Sequence, residues 1–239
     1  MAAAIALLDE EGVDGLNMRD LGQRLGAAAT AVYWHVSSKD NVIALATDAV
    51  WAEIAVPPAP RPGMWRPSAE AFARSAYDMV CRHPWLWPAI SASFAYGVGM
   101  ARHQEQTYAI FQAAGFEGRE LDGAVNTYSV FIFGASQGVA AAFALRARLK
   151  RSGEDAQHLM AELNQRAEAV ATAFPALRER MAAHSHAPLS DDDRFAFGLA
   201  VVLDGLEARL RRSRAAARRT DATVGQTRSD APPEKGKTR

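Results

Sequence analysis

Residues 12–39 read GVDGLNMRDLGQRLGAAATAVYWHVSSK. Asn17 is of a residue type that caps helices, and it predicts a helix over Met18–Leu25. Gly26 follows at a position where a left-handed backbone costs glycine little. A second short helix is predicted over Ala29–His35. Two short helices joined by a glycine-containing turn are the sequence form of a helix-turn-helix, whose second helix enters the major groove of DNA. On the first helix we expect Leu21 and Leu25 to face inward and Arg19, Gln23 and Arg24 to be exposed.

The second predicted helix ends in three polar or aromatic residues, Tyr33, Trp34 and His35, and Lys39 follows. Consecutive residues cannot all face one core, so at least one large aromatic ring points outward. A hydroxyl, an imidazole and an ammonium group suit contacts to DNA phosphates, which position a protein without reading sequence. From the residues alone, Tyr33 and Trp34 could equally be core residues and His35 a surface residue.

The rest of the chain is also helical in pattern. Almost nothing reads as a strand, and apolar residues recur at spacings of three and four, so the fold class is all-α. Of the 239 residues 49% are hydrophobic and 23% charged, as in globular proteins. A single cysteine, Cys81, excludes an intrachain disulfide framework and predicts a reducing cytoplasm. The N-terminus lacks the basic start and long apolar run of a signal peptide.

Charge is unevenly distributed although the net charge is zero. Residues 1–53 hold three basic and eight acidic residues, a formal charge of −5, and residues 209–239 hold ten basic and three acidic, or +7. An acidic DNA-binding segment is unexpected, because DNA affinity depends on neutralising phosphates.

Breaks in the pattern divide the chain into domains. Pro57, Pro58, Pro60, Pro62 and Gly63 interrupt any helix. We therefore predict a helix-turn-helix domain over 1–54, a linker over 55–64, a larger helical domain over 65–213 and a disordered basic tail over 214–239.

Two segments of the larger domain have strong apolar patterns. Ala124–Leu145 is long enough to suggest a membrane span, but polar residues interrupt it, so we expect a soluble helix buried on both sides and no membrane. Its Gly134 and Gly138 would allow close approach of another helix. The second segment has one apolar face, formed by Phe195, Leu199, Val202, Leu206 and Leu210.

Other chemistry is weakly indicated. A helix is expected over 154–173 and a loop over 184–188. His184 and His186 in that loop lack an obvious third metal ligand. Asp191, Asp192 and Asp193 suit a helix N-terminus better than a calcium site. No catalytic constellation or nucleotide-binding loop occurs, so we expect no enzyme, metal or cofactor.

The pattern G-V-x-G-L-x-M-R-x-L-G-x-x-L-G-x-x-x-T-A-V-Y-W-H-V-x-x-K, with its flanks from Leu8 to Leu45, resembles the tetracycline-repressor family. The resemblance implies a three-helix DNA-binding domain, with helices over Ala2–Glu10, Met18–Leu25 and Ala29–His35. It implies a fourth, connecting helix over 38–54 that links this domain to the larger one. It also implies phosphate contacts by Tyr33, His35 and Lys39 and a packing role for Trp34. The positions that match groove-facing residues of the family are Arg19, Ala28, Ala29, Thr30 and Ala31.

This sequence departs from the family pattern in two ways. Alanines in the recognition helix can touch a thymine methyl group but make no bidentate hydrogen bonds, so base readout would rest on Arg19, Thr30 and apolar contacts. Either the sequence specificity is modest or DNA shape contributes to it. Family members usually carry a basic arm before the first helix, whereas this chain begins inside that helix. We therefore expect either that Met1 is a late start or that this sequence is shortened.

The resemblance extends to the end of the chain, where Arg194–Leu210 looks like the last helix of the family's C-terminal domain. It implies that this helix and Ala124–Leu145 from two subunits form a four-helix dimer interface, and that the homodimer binds a pseudo-palindromic operator. The expected interface residues are Gly134, Gly138, Phe195, Leu199, Val202 and Leu206.

Members of the family bind small molecules inside the C-terminal domain. Each candidate lining residue here could instead be ordinary core, but together they suit an apolar site with a few hydrogen bonds. Members that hold magnesium–tetracycline use a histidine in the loop that corresponds to Ser91–Gly97, and its absence here disfavours tetracycline. The candidates are Trp65, Trp85, Trp87, Phe94, Tyr96, Met100, His103, Tyr108, Phe111, Tyr128, Phe131 and Gln137.

The sequence thus predicts a DNA-binding transcriptional regulator, a repressor that a small-molecule effector releases from its operator. The alternative is a helical dimeric ligand-binding or scaffold protein with weak or lost DNA affinity. A helical enzyme is a third class, without any recognisable catalytic residues.

Overall fold

The computed structural model describes residues 1–26, 28, 36–57, 63–92, 96–153, 156–186 and 189–229. Regular structure in these ranges is entirely α-helical, which confirms the predicted fold class. The ten helices of the described ranges are α1 (Ala2–Gly15), α2 (Met18–Arg24), α3 (Lys39–Trp51), α4 (Trp65–Arg82), α5 (Leu86–Ala92), α6 (Val98–Ala114), α7 (Gly118–Ser152), α8 (Ala156–Ala171), α9 (Pro175–His186) and α10 (Asp191–Ser229).

The N-terminal helices follow the local signals closely. The Asn17 side chain accepts a hydrogen bond of 2.9 Å from the Asp20 backbone N–H at the start of α2. Gly26 has φ +64° directly after the helix, as predicted. The expectation that Leu25 faces inward is wrong, since it is 52% exposed. Leu25 is the C-cap residue of α2, beyond the last regular turn, so helical spacing no longer sets its direction.

Two helices of this part differ in length from the prediction. Helix α1 continues to Gly15 rather than ending at Glu10, with one non-helical residue, Gly12, at φ 72° and ψ −179°. Helix α3 covers Lys39–Trp51 rather than 38–54, because Ser38 is its N-cap, accepting from the Asn41 N–H at 3.1 Å.

Helix α7 is the spine of the larger domain and packs against α1, α4, α6 and α10. It runs well beyond the predicted Ala124–Leu145. Its length and composition alone would also suit a membrane span. The expectation that it is buried on both sides is wrong within one chain: Leu121, Tyr128 and Ile132 are buried, whereas Val130 is 62% exposed. The face of α7 that carries Val130 is therefore left uncovered within one chain.

Helix α10 packs on α4 and α7 through Phe195, Leu199, Leu203 and Leu210. It extends to Ser229, so the predicted disordered tail does not begin at residue 214. Alanine and arginine favour helix, and both are frequent just after Ser213. Residues 230–239 lie outside the described ranges. Helix α9 likewise reaches His186, so residues 184–186 are helical rather than part of the predicted loop over 184–188, and residues 187 and 188 lie outside the described ranges.

Candidate nucleic-acid and effector sites

Of the predicted recognition segment, residues 28–35, the structure describes only Ala28. Arg19 and Ala28 are exposed, and Lys39 is half-buried at the first residue of α3. Within the described ranges, Arg19 forms no ion pair, so its guanidinium is available to DNA. The remaining predicted DNA contacts, Ala29, Thr30, Ala31, Tyr33 and His35, lie outside the described residues.

Arg24 is exposed, as the sequence predicts, but its guanidinium is engaged in an ion pair. Both of its terminal nitrogens pair with the two carboxylate oxygens of Glu10 on α1. The hydrogen bond from Arg24 lowers the pKa of Glu10, although burial opposes this effect. Arg24 therefore fixes α2 against α1.

The chain enters α3 in a fixed geometry. Ser37 has φ +60°, and the Asn41 side-chain amide donates to the Val36 carbonyl oxygen at 2.8 Å. Residues that follow the recognition segment are thus tied directly to the first turn of α3. Movement of α3 would carry this end of the segment with it.

The far end of α3 reaches an aromatic cluster inside the larger domain. The Trp51 ring lies 4.9 Å from the ring of His103 on α6 and 5.5 Å from that of Phe133 on α7, between centroids. Phe72 on α4 stacks on His103 at 4.9 Å, and Trp87 meets Phe133 edge-on at 5.9 Å. Four helices of the larger domain therefore meet the connecting helix here.

This aromatic cluster contains buried polar atoms without hydrogen-bond partners. They are Nδ1 and Nε2 of His103, Nε1 of Trp51 and Oγ1 of Thr47. Burial lowers the pKa of His103 to about 4, so its ring is neutral at pH 7 and offers one donor and one acceptor. Unpaired buried polar groups cost free energy, which a bound molecule carrying complementary groups would recover.

A cavity of about 250 Å³ between α6 and α7 adjoins this cluster. Its wall combines the ring of His103 with hydroxyl and amide side chains, and it carries a single carboxylate, that of Asp122. The cavity is lined by His103, Gln104, Thr107, Tyr108, Asp122, Val125, Asn126 and Ser129.

The structure separates the twelve predicted effector residues into different environments. Only Trp87 and His103 belong to the cluster around Trp51, and Tyr108 lines the adjoining cavity. Trp65, Phe111 and Tyr128 pack together as core, and the Tyr128 hydroxyl donates to the Ala69 carbonyl oxygen at 2.7 Å. The others are Trp85 (fully buried), Met100 and Phe131 (half-buried), Tyr96 and Gln137 (exposed) and Phe94 (outside the described residues).

Sequence reasoning missed four members of the cluster. Thr47 and Trp51 belong to the connecting helix, which the sequence assigned to the DNA-binding half, and Phe72 and Phe133 were not selected. A bulky tryptophan near the end of an otherwise Ala- and Val-rich helix was the available signal. Only the packing of α3 on α6 shows which domain that ring enters.

The predicted dimer residues also need correction. Phe195 and Leu199 are 1% and 6% exposed within their own chain, because their face of α10 packs on α4 and α7. The opposite face presents Phe197, 73% exposed, and Val201, 54% exposed. Gly134 and Gly138 remain candidates on α7, where added Cβ atoms would meet nothing within 4 Å. Val202 and Leu206 are half-buried.

No group of three or more His, Cys, Asp or Glu side chains suited to a metal ion occurs among the residues described. The side chains of His184 and His186 lie outside that set.

Comparison with known families finds two matches that together cover most of the chain. Residues 57–210 match the family "Tetracyclin repressor-like, C-terminal domain", and residues 1–46 match "Bacterial regulatory proteins, tetR family".

Individual relatives agree with this result. An HTH-type transcriptional regulator of Saccharopolyspora erythraea is 38% identical over 135 residues, which span 56% of this chain and 57% of that protein. The class A tetracycline repressor of Escherichia coli is 30% identical over 87% of this chain and 88% of its own length. The structure of ActR from Streptomyces coelicolor in complex with actinorhodin is similar with a TM-score of 0.64 and 27% identity, covering 87% of this chain and 95% of ActR.

Proposed function

The chain belongs to the tetR family of bacterial helix-turn-helix transcription regulators, and we propose that it acts in the cytoplasm as a homodimeric repressor released from a pseudo-palindromic operator by a small molecule. Two domains are proposed, a DNA-binding unit over 1–54 and a regulatory and dimerisation domain over 65–213. Its relatives are transcription regulators, and none of the similarities points to an enzyme.

One observation carries the effector part of the proposal. Helix α3 begins at Lys39, directly after the recognition segment, and ends at Trp51, whose ring contacts His103 inside the regulatory domain. A molecule that hydrogen-bonds to His103 or Trp51 would therefore act on the helix that positions the recognition segment. A population shift requires an effector that binds more tightly when α3 is in one of two positions than when it is in the other.

The effector site proposed here comprises His103, Trp51, Thr47 and Trp87, with the cavity between α6 and α7 as its polar side. ActR, which has been solved with actinorhodin, is a relative in which a small molecule is bound. The site offers neutral hydrogen-bonding groups among aromatic rings, and this composition favours an uncharged aromatic effector with hydroxyl or carbonyl groups.

The DNA-binding proposal depends on Arg19, Lys39 and the recognition segment, with Ala28, Ala29, Thr30, Ala31, Tyr33 and His35 as the other contacts. For the dimer we propose Gly134 and Gly138 of α7 together with Phe197 and Val201 of α10. A twofold pair of recognition segments would then face two half-sites.

The experiment is a titration of the purified protein with DNA from its own upstream region, with scrambled DNA as the control, at two salt concentrations. Specific and salt-sensitive binding supports the regulator. Equal affinity for both DNAs would instead support the ligand-binding or scaffold alternative.

A further inference from the structure

A polar cluster ties the DNA-binding unit to the regulatory domain at a place remote from the effector cavity. His83 follows α4, and its Nδ1 lies 2.7 Å from Oδ1 of Asp9 on α1. Its Nε2 lies 3.1 Å from Oε2 of Glu53, just after α3. The Trp85 indole N–H donates to the same Asp9 oxygen at 2.6 Å. We call Asp9, Glu53, His83 and Trp85 the interdomain clasp.

The clasp contacts the DNA-binding unit at α1 and just beyond the end of α3. Asp9 belongs to α1, which packs on α2, and Glu53 follows the C-cap residue of α3. The Arg82 guanidinium also pairs with Glu53, at 3.1 Å. One short turn of the regulatory domain therefore holds the DNA-binding unit at two separate points.

Sequence order places that turn next to the aromatic cluster. In the segment His83–Trp87, His83 and Trp85 face the DNA-binding unit. Trp87 faces the other way: its indole N–H donates to Ser136 Oγ at 3.0 Å, and its ring contacts Phe133. A displacement of Trp87 would reach Trp85 of the clasp through only one intervening residue, Leu86.

Burial makes the loss of these contacts costly. His83 is 6% exposed and Trp85 is fully buried, so each would lose a partner that water could not easily replace. Hydrogen bonds to charged groups in such settings are stronger than neutral ones. Four such contacts converge here on two carboxylates.

We infer that Asp9 and Glu53 are positioning residues for DNA binding, and that the clasp with His83 and Trp85 holds the DNA-binding unit in the orientation that fits the operator. The inference rests on the proposed function only in its DNA readout. It assigns the coupling between the two domains to the α4–α5 turn, in addition to the contact of α3 with His103.

Protonation of His83 makes the stability of the clasp depend on pH. Burial alone would lower its pKa, but hydrogen bonds to Asp9 and Glu53 outweigh burial and raise it. A raised histidine pKa contributes stability that is complete below the unfolded value, about 6.5, and is lost as pH rises through the folded value. The charged groups that face the ring are Asp9 from α1, Glu53 after α3 and Arg82 from α4, which pairs with Glu53.

The test measures operator affinity of the full-length protein at pH 6 and pH 8.5 for wild type, D9N, H83N and the double variant. We expect D9N to weaken specific binding about tenfold at pH 6, with a much smaller difference at pH 8.5. The double variant should be no weaker than H83N, since the partners act as one unit. D192N is the matched control, because Asp192 pairs with Arg74 inside the regulatory domain.

Amide hydrogen exchange without DNA provides a second, independent readout. D9N should increase exchange across residues 2–15 and leave residues 191–210 unchanged, whether or not the protein binds DNA. If the wild-type protein does not bind the operator but D9N still changes exchange in this way, the proposed function is overturned and the structural part of the clasp remains. Affinity losses equal at both pH values, or unchanged exchange of α1, would overturn the clasp itself.

Discussion

The ring centroid of His103 lies 4.9 Å from that of Trp51, which joins the interior of the regulatory domain to the helix that follows the recognition segment. Neither ring has a hydrogen-bond partner for its nitrogen atoms in the described structure. The contact therefore combines two properties of an effector site, unsatisfied polar groups and a direct connection to the DNA-binding unit. Both can be tested by substitution.

Replacing His103 with leucine should change stability in a pH-dependent manner. Its folded pKa of about 4 lies below the unfolded value, so wild-type protein loses stability as pH falls from 6.5 towards 4. The loss attributable to this group should be on the order of 3 kcal/mol and absent from H103L. Thermal or urea unfolding from pH 7 to pH 4 measures it, and parallel curves for the two proteins would contradict the burial of a neutral ring.

Gly99 should not tolerate a side chain. A Cβ atom there would lie 2.3 Å from the Asp48 carbonyl oxygen and 2.9 Å from Trp51 Cβ, and the Gly99 N–H donates to Asp48 Oδ1 at 2.7 Å. We expect G99A to destabilise the protein by about 1–3 kcal/mol because α6 must move away from α3. In the control G123A the new Cβ meets nothing within 4 Å, and equal effects in urea unfolding would argue against the close approach.

Arg19 and Lys39 should have separable effects on DNA binding. Lys39→Ala should weaken binding to all sequences alike and reduce the salt dependence, as expected for a phosphate contact. Arg19→Ala should alter the preference among operator variants, as expected for a base contact. Titrations against a small operator library measure both. Uniform losses for both variants would remove the readout role of Arg19.

Phe197→Asp and Val201→Asp should each weaken the proposed dimer, because these are the large exposed apolar side chains in the part of α10 whose burial is described. A charge in a desolvated interface lacks a partner and costs several kcal/mol. Light scattering at micromolar concentration reports the change in mass. Val98→Asp is the control, since Val98 is 64% exposed on a different helix, and monomerisation by that variant would point to general destabilisation.

Local signals in the sequence predicted much of the fold. Asn17, Ser38 and Gly26 act through their own backbone neighbourhoods, and their positions at helix ends agree with the sequence-based assignments within a few residues. The same holds for the all-helical class, which depends on apolar spacing. Helix lengths were less predictable, because tertiary packing extends α1 and α7 beyond the residues that show the strongest pattern.

The sequence could not predict which surface each apolar face packs against or which distant polar residues meet. The stripe containing Phe195 and Leu199 indicates an apolar face, but an amphipathic pattern does not say whether that face packs within the chain or across a dimer. The clasp was equally hidden, since Asp9 and His83 are 74 positions apart and each is an ordinary polar residue in isolation. Only three-dimensional packing brings the two together.

Helix α7 connects three regions of the protein. Its middle carries Gly134 and Gly138, another face holds Phe133 against the aromatic cluster, and its last turns bind α1, where Arg151 donates to the Glu11 carbonyl oxygen at 2.8 Å. A helix of 35 residues is about 50 Å long. It can therefore work as a lever: a tilt of about 5° at Gly134 and Gly138 would displace the end of the helix, about 25 Å away, by about 2 Å, which is a large fraction of the ~3.4 Å base-pair step, in each half of the proposed dimer. Operator spacing would then be a mechanical property of the subunit interface, open to change by substitutions that never approach DNA.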